Sequence, residues 1–315
     1  MKKLLVFILL LIAGNVYSQV DVQTSKVRDT SYWYKKNRIG FDISEVAYVN
    51  WNAGGVNSIS GLLNLNFKRN YKKELLFWDN ELSMIYGLNK QQGKIWRKTE
   101  DVLAIRSSFG FKKDSISKFF YSAKLNFNTQ FYRGYQYPDT DEFISNFLSP
   151  GYLLAGAGLS YIDEEKKLSI YASPTTLKST FVLSQRLANE GAFGVQGARF
   201  DDMGNLIQEG KKTYIQLGVL LHAEWEKELW ENINLRSRVD LYTDYINDFG
   251  NVDVDWETNL DLIVNKYVKA TVAAHLRYDN DVKIKKDTND DGELETLGPR
   301  VQFKQLLGIG LVYEY

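Results

Sequence analysis

The sequence predicts an all-β protein: a single transmembrane antiparallel β-barrel of about 12 strands, with short periplasmic turns and long extracellular loops. Three observations predict this fold. Apolar and polar residues alternate along many long segments, the segments are even in number, and the links between them are alternately short and long. Hydrophobic residues make up only 44% of the 315 residues, and the mean hydropathy of -0.33 excludes a helical membrane protein.

The alternation has a period of two residues, which predicts strands and not helices. In 252–264, the even positions from Val252 to Val264 are mostly apolar, and the odd positions from Asp253 to Asp261 are acidic or amide residues. Segments of this length can cross a bilayer when tilted. The twelve predicted strands are about 38–49, 57–68, 74–88, 97–112, 118–133, 151–162, 167–186, 212–228, 232–247, 251–264, 268–280 and 300–315.

The links between the segments sort by length onto two sides. With the N-terminus in the periplasm, the short links 69–73, 113–117, 163–166, 229–231 and 265–267 lie on that side. The opposite side receives 50–56, 89–96, 134–150, 187–211, 248–250 and 281–299. Short periplasmic turns and longer outer loops are typical of outer-membrane barrels, whereas a soluble sandwich has no reason to sort its loops.

The N-terminus resembles a secretory signal. Lys2 and Lys3 precede the short apolar run 4–13, and small residues at Val16 and Ser18 predict cleavage before Gln19. An N-terminal anchor helix is the alternative, but it needs about 20 apolar residues. We therefore predict a signal peptide at 1–18, a polar lead at 19–36, a barrel at 37–315, and a location in the cell outer membrane of a Gram-negative bacterium.

The last predicted strand indicates how the barrel closes and which partners the protein has. Its alternating residues end on Tyr315, which is similar to the C-terminal signal read by outer-membrane assembly machinery. Open strand edges are costly in lipid, so the last strand should pair with the first. We expect outer-membrane lipid and the assembly machinery as partners, and no nucleic acid, because 39 basic residues balance 39 acidic ones.

Two positions interrupt the pattern, and the tryptophans support it. Pro174 removes a ladder hydrogen bond and predicts a bulge or kink. Glu45 stands where alternation puts an apolar residue, which predicts a register change nearby. Trp78, Trp225 and Trp256 fall on the predicted lipid face, where aromatic residues are expected.

Three stretches resemble motifs of the DUF3078 family. They are Asn50-Trp51-Asn52-Ala53-Gly54-Gly55-Val56-Asn57-Ser58-Ile59-Ser60-Gly61, Ser173-Pro174-Thr175-Thr176-Leu177-Lys178 and Gly191-Ala192-Phe193-Gly194-Val195. The resemblance spans roughly 38–315 and implies a Bacteroidetes outer-membrane barrel of undefined function, with no catalytic residues to transfer. The Thr175-Thr176 pair departs slightly from the family pattern. Gly54 and Gly55 suit a tight outer turn, and a ligand-contact role is the alternative.

Charged residues on the polar face of the later strands are the candidate lumen residues. Pairing strands across short loops predicts that Glu257 faces His275, Asp255 faces Arg277 and Arg238 faces Asp261. His222 should also point inward. These groups either only line the lumen or form a selectivity site, where rings of charge control what passes. The candidates are Arg236, Arg238, Asp255, Glu257, Asp261, His275 and Arg277.

We expect no catalytic residues and no cofactor. The absence of Cys excludes thiol nucleophiles and cysteine metal sites, and the sequence holds no nucleophile-elbow or His-Ser motif. Asp287, Asn289 and Asp291 resemble the start of a calcium loop, but the twelfth position is Gly298 where a Glu is needed. That segment is either a solvated acidic loop or a weak calcium site.

Three functions remain open. The leading one is a channel or passive transporter for small polar solutes through a polar lumen of mixed charge. The second is a plugged structural or surface-interaction barrel that acts with an envelope complex. The third is an embedded hydrolase. An inserted 187–211 loop would favour the plugged barrel, and the polar lead either hangs in the periplasm or folds into the lumen.

Overall fold

The computed structural model describes residues 31–47, 56–246, 249–286 and 295–315. Twelve antiparallel strands close into a barrel, as the sequence predicts. The predicted signal peptide and residues 19–30 of the lead lie outside the described residues. The barrel strands are β1 (Trp33–Val46), β2 (Ser58–Lys73), β3 (Leu76–Gln91), β4 (Arg97–Phe111), β5 (Phe119–Thr129), β6 (Gly151–Asp163), β7 (Leu168–Phe181), β8 (Thr213–Trp230), β9 (Ile233–Asp244), β10 (Asp253–Ile263), β11 (Val268–Tyr278) and β12 (Gln302–Glu314).

The connections sort by length as the sequence predicts. One end of the barrel, the short-turn end, carries the links 74–75, 112–118, 164–167, 231–232 and 264–267. The other end, the long-loop end, carries 47–57, 92–96, 130–150, 182–212, 245–252 and 279–301. Several strand boundaries differ from expectation, among them the end of β2, which runs on to Lys73 where the link 69–73 was expected. β1 begins at Trp33, and β7 stops at Phe181 because the chain turns there into a short helix, α1 (Gln185–Asn189).

The long loops carry secondary structure of their own. Three two-stranded hairpins and a 3₁₀ turn, Ala192–Gly194, stand outside the barrel wall. Among the described residues, no helix is long and apolar enough to cross a membrane. The hairpins pair Gly134–Tyr135 with Phe143–Ser145, Arg199–Phe200 with Leu206–Gln208, and Lys283–Lys286 with Glu295–Pro299.

A bulge at Pro174 confirms one of the two predicted irregularities. Ser173 and Pro174 together oppose the single residue Gly158 on β6, so the register slips by one. The ladder to β8 slips at the same place. A Cβ at Gly158 would lie 2.0 Å from the carbonyl oxygen of Ala172, so only glycine allows the two backbones to approach this closely.

The predicted register change near Glu45 is wrong. β1 and β2 keep one register from the Trp33–Tyr71 pair to the Val46–Ser58 pair. Glu45 therefore shares the outward face with Ile43. It stands one residue before the end of the strand and is exposed, a position where water and lipid headgroups can solvate a carboxylate.

The barrel closes through β1 and β12, as predicted. Five residue pairs join the two strands, from Arg38–Glu314 to Asp42–Gly310. Two backbone hydrogen bonds between Asn37 and Tyr315 extend the ladder to the short-turn end. Closure satisfies the two strand edges along this stretch, which an open sheet in lipid would leave unpaired.

The two faces of the wall differ as the alternation predicts. Large apolar side chains point outward and are exposed, among them Trp78, Trp225 and Trp256. The indoles of Trp78 and Trp256 donate to the hydroxyls of Ser107 and Ser237, each at 3.0 Å. An outward face of this kind suits a lipid environment, because contact with lipid removes the free-energy cost of exposing apolar side chains to water.

Candidate functional site: the barrel lumen

An interior cavity of about 820 Å³ follows the barrel from one end to the other. Lys36 and Glu314 line it at the short-turn end and Asp279 at the long-loop end. The cavity does not fill the barrel. On the β7–β9 side the inward side chains of Tyr171, Leu220 and Tyr242 pack together and are buried. Leu220 and Tyr242 also border the cavity, so the open space passes alongside this packed side of the barrel.

All seven candidate residues from the sequence line this cavity. Two of the three expected cross-strand pairs are present, Glu257 with His275 and Asp255 with Arg277. The third is wrong, because Arg238 faces Glu257 and Asp261 faces Asn234. The observed ladder ends on the Tyr242–Asp253 pair and is centred at 247.5, two residues earlier than the 249.5 about which Arg238 and Asp261 would pair. The pairing therefore shifts by four residues, which keeps every side chain on its predicted face but changes its partner.

The charged residues of β9, β10 and β11 form several opposite-charge contacts along the lumen. The guanidinium of Arg238 donates to the Glu257 carboxylate. His275 Nε2 lies 2.9 Å from Asp255 Oδ1, and Arg277 Nε lies 3.9 Å from Asp255 Oδ2. Nearer the short-turn end, Asp261 accepts hydrogen bonds from Lys269 and Thr271. Glu226 accepts one from Arg236. The lumen therefore carries both signs of charge along its length.

His222 lies apart from these contacts. It is buried on β8, with its Nδ1 atom 2.5 Å from Asp240 Oδ1. It does not line the cavity. Among the recorded contacts of the described residues, no hydroxyl group hydrogen-bonds its ring. A hydrolase site of the Ser-His type would need a nucleophile beside this pair.

Lys178 crosses the lumen near the long-loop end, a feature that sequence reasoning missed. From β7 its Nζ atom reaches Asp253 Oδ2 on β10 at 2.6 Å and Asp279 Oδ2, just after β11, at 2.9 Å. The Tyr242 ring lies 5.4 Å from the same ammonium. The side chains are nearly buried, at 10% exposure for Lys178 and 6% for Asp279. The sequence signal was that Lys178 ends the 173–178 motif. The bulge within that motif determines which side of the barrel wall the Lys178 side chain faces.

The acidic end of this bridge continues to Asp281. Its carboxylate accepts a hydrogen bond of 2.8 Å from Gln216 Nε2. Burial raises the pKa of Asp281 above its ordinary value of 3.8, and the Asp279 carboxylate raises it further. Asp253, Asp279 and Asp281 place one oxygen each within 4.8 Å of one another. The Lys178 ammonium already neutralises two of these groups, so a metal ion would have to displace it.

A second set of potential metal ligands lies in the middle of the lumen. Asp255, Glu257 and His275 place one ligand atom each within 4.8 Å of one another. Arg238 binds Glu257, while His275 and Arg277 contact Asp255. Cationic side chains of the protein thus already neutralise the carboxylates that would otherwise bind a metal ion. The arrangement suits a neutralised lining better than a metal centre.

Two long loops cover the long-loop end and pack on each other. Val182, Leu187, Ala188 and Val195 form a buried core, against which Phe143 of the 130–150 loop packs. Arg186 donates to the Phe143 carbonyl oxygen. No residue of 182–212 lines the interior cavity. The loop therefore caps the barrel from outside and does not insert into the lumen among the residues described.

The resemblance motifs have structural roles where the structure describes them. Buried Ser173 donates to the carbonyl oxygens of Ala157 and Thr175, at 2.9 and 3.0 Å, and fixes the Pro174 bulge. Gly191 and Gly194 have positive φ angles in the loop core. The Asn57 carbonyl oxygen accepts a hydrogen bond of 2.8 Å from Gln92 N. The other turn and calcium-loop candidates, Asn50, Trp51, Gly54, Gly55, Asp287, Asn289 and Asp291, lie outside the described residues.

Comparison with known families gives one match. The family described as "Protein of unknown function (DUF3078)" matches residues 43–135, from the end of β1 into the loop after β5. This confirms the resemblance for that part of the chain. The motifs at 173–178 and 191–195 lie beyond the matched range. A search of curated proteins gives no match.

Solved structures similar to this chain include three bacterial proteins. An outer-membrane channel from Pseudomonas putida F1 is 9% identical, with a TM-score of 0.39 over 94% of this chain and 100% of that one. The translocator domain of the autotransporter NalP from Neisseria meningitidis is 11% identical, with a TM-score of 0.32 over 89% and 86%. The β domain of the Bordetella autotransporter BrkA is 9% identical, with a TM-score of 0.29 over 90% and 97%.

Proposed function

We propose that this protein is an outer-membrane channel or passive transporter for small polar solutes. The observation that carries the proposal is the cavity of about 820 Å³, which charged side chains line from the short-turn end to the long-loop end. If these interior charges served only to stabilise the fold, they would not need to line a continuous cavity. A lumen with both signs of charge favours small polar solutes over a single class of ion.

The membrane location follows from the outer face of the barrel. Exposed apolar and aromatic side chains surround the wall, which in water would be an aggregation hazard. We further propose that the 1–18 signal is cleaved, that assembly machinery reads the strand ending at Tyr315, and that the protein is not an enzyme. A Bacteroidetes outer membrane is the expected location from the DUF3078 resemblance.

Lys178 is the part of the lining most suited to controlling passage. It bridges from β7 to Asp253 and Asp279 across the lumen, so a solute must pass beside this bridge or part it. Without the lysine, the acidic groups of Asp253, Asp279 and Asp281 would remain. Removing the ammonium should therefore make the passage more attractive to cations.

Single-channel recording in planar bilayers tests this proposal. We expect the refolded wild-type protein to conduct, and Lys178→Gln to shift the reversal potential in a salt gradient towards cation selectivity. Lys113→Gln removes the same charge from the exposed 112–118 turn and should leave selectivity unchanged. Folding of each variant is checked by SDS-resistant, heat-modifiable migration.

Silence of the folded wild type would overturn an open passage. If a 187–211 deletion then conducts, the loops close the channel and passage needs an opening signal. If both are silent, the protein is a structural or surface-interaction barrel, and the search turns to envelope partners. Equal selectivity of Lys178→Gln and Lys113→Gln would remove Lys178 from the conduction path.

A further inference from the structure

The seam between β1 and β12 is closed over only part of its length. The last recorded pair is Asp42–Gly310, although β1 continues to Val46 along β2 and β12 starts eight residues earlier, at Gln302, along β11. Among the residues the structure describes, none pairs with the facing edges of these two stretches. As far as the structure describes the chain, the barrel wall therefore has a gap at this seam towards the long-loop end.

Side-chain exposure marks the same gap. In the closed part of the seam, the inward residues Arg38, Gly40 and Asp42 are half-buried or buried. Beyond it, every residue of 43–46 is exposed, whichever face it occupies. The 302–305 stretch of β12 is exposed on both faces in the same way. Among the described residues, no strand pairs with either edge on the seam side.

The lumen wall close to the gap carries apolar side chains. Leu62 is the ladder partner of Asp42, and Ile85 faces Val102 across β3 and β4. Ala104 lies two residues further along β4, and Leu306 lies on β12 at the gap itself. All five side chains line the interior cavity. We call these five apolar residues the seam patch; elsewhere the cavity lining mixes charged and amide side chains with apolar ones such as Leu154, Leu235 and Val254.

The outer side of the gap is apolar as well. Phe41 and Ile43 on β1, and Leu307 and Ile309 on β12, are exposed on the outward face. In a bilayer, lipid chains contact these residues directly. On the inward face of β12, the Asp42 carboxylate packs over Gly308 and Gly310, and Lys304 pairs with Glu100 at 3.1 Å. Leu306 lies between these two charged groups, so at that position apolar side chains, Leu306 inside and Leu307 outside, lie on both faces of the wall.

We propose that this seam is a lateral aperture through which the alkyl chain of a membrane amphiphile enters the lumen and packs on the seam patch. An unfilled gap would leave backbone groups and apolar side chains unsatisfied, and a lipid chain can cover the apolar part. The proposal rests on the membrane location given above, not on ion conduction. It adds a second route, between lumen and bilayer, to the proposed path along the barrel axis.

The chain has no cysteine, so the gap can be locked with an engineered disulfide. The Asn37–Tyr315 pair exchanges both backbone hydrogen bonds, so even-numbered β1 residues lie in the closer, non-hydrogen-bonded pairs. If the register continued, Ser44 would face Gly308. The test pair is Ser44→Cys with Gly308→Cys. The matched control is Gly40→Cys with Val312→Cys, which lies in the closed part of the seam.

Photocrosslinking to lipid provides the measurement. Val102 is replaced by p-benzoyl-L-phenylalanine, and the protein is irradiated in dioleoylphosphatidylcholine vesicles and weighed by mass spectrometry. We expect a phospholipid adduct at 102. Oxidising the Ser44–Gly308 cysteine pair should reduce this adduct to background, and the control pair should leave it unchanged. The same photoreactive group at Asn234, at the short-turn end of the lumen, should give no adduct.

Several results would overturn the aperture. These are no adduct at 102, an adduct that persists after complete oxidation of the Ser44–Gly308 pair, or a crosslink to a second copy of the chain. A photoreactive group at the outward position Phe41 separates the failures, since no adduct there means that the barrel is not in the bilayer. Adducts without current would contradict the channel alone, and current without adducts would contradict the aperture alone.

Discussion

Replacing Gly158 with alanine should destabilise the barrel more than any ordinary glycine substitution. The new Cβ would lie 2.0 Å from the carbonyl oxygen of Ala172 and 2.7 Å from the Cα atom of Ser173. Non-bonded carbon atoms prefer about 3.5–4.0 Å. Both obstructing atoms belong to the backbone, so the clash cannot be relieved by rotating a side chain.

The magnitude follows from what must move. Overpacking of this kind costs about 1–3 kcal/mol. Displacing the bulge also weakens the bonds from Ser173 Oγ to the Ala157 carbonyl and from Thr176 Oγ1 to Ser173 Oγ, each worth about 1 kcal/mol. The lower entropy of the unfolded alanine chain offsets about 0.4–1 kcal/mol. We expect a net loss of about 2–4 kcal/mol.

Urea unfolding of the refolded protein in phospholipid vesicles, followed by tryptophan fluorescence, measures this loss. Gly61→Ala is the matched control, because its new Cβ would meet only ring carbons of Phe41 at 3.8 Å, an ordinary contact. The control should stay within about 0.5 kcal/mol of the wild type or gain slightly. A Gly158→Ala variant as stable as the control would refute the close-approach explanation of the bulge.

Two further changes probe the bridge at the long-loop end. Lys178→Met should cost about 3–5 kcal/mol in the same assay, because it leaves two nearly buried carboxylates without a cation. Adding Asp253→Asn and Asp279→Asn should recover most of the loss, and a triple variant no more stable than the single one would contradict this. The pKa of Asp281 is raised by burial, so its contribution to stability is full below the unfolded pKa near 3.8 and is lost as the pH rises through the folded pKa. The unfolding free energy should fall over that range in the wild type and less in Asp281→Asn; identical pH profiles would exclude the effect.

The register error at Arg238 illustrates the limits of prediction from pattern. Alternation fixes the face of each side chain, because successive residues in a strand point to opposite sides. It does not fix the partner, which depends on where the loop between two strands is centred. Arg238 therefore lined the lumen as expected but faced Glu257 and not Asp261.

Contacts between distant parts of the chain could not be predicted from the sequence for another reason. Lys178 meets Asp253 and Asp279 only because the barrel curves β7 towards β10 and β11. The incomplete seam beyond Asp42 is likewise a property of two strand edges far apart in sequence. No local pattern encodes these distances, so composition and spacing left them open.

The strand number, the sorting of loops by length, the inward and outward faces, the Pro174 bulge and the closure of the last strand on the first can all be predicted from the sequence. Each follows from local rules: a two-residue period, the missing amide hydrogen of proline, and the need to pair backbone groups in lipid. Which charges meet, which side of the lumen is filled, where the loops cap the barrel and how far the seam closes are visible only in the folded barrel. Those outcomes depend on barrel curvature and loop lengths, which bring together side chains that are unrelated along the chain.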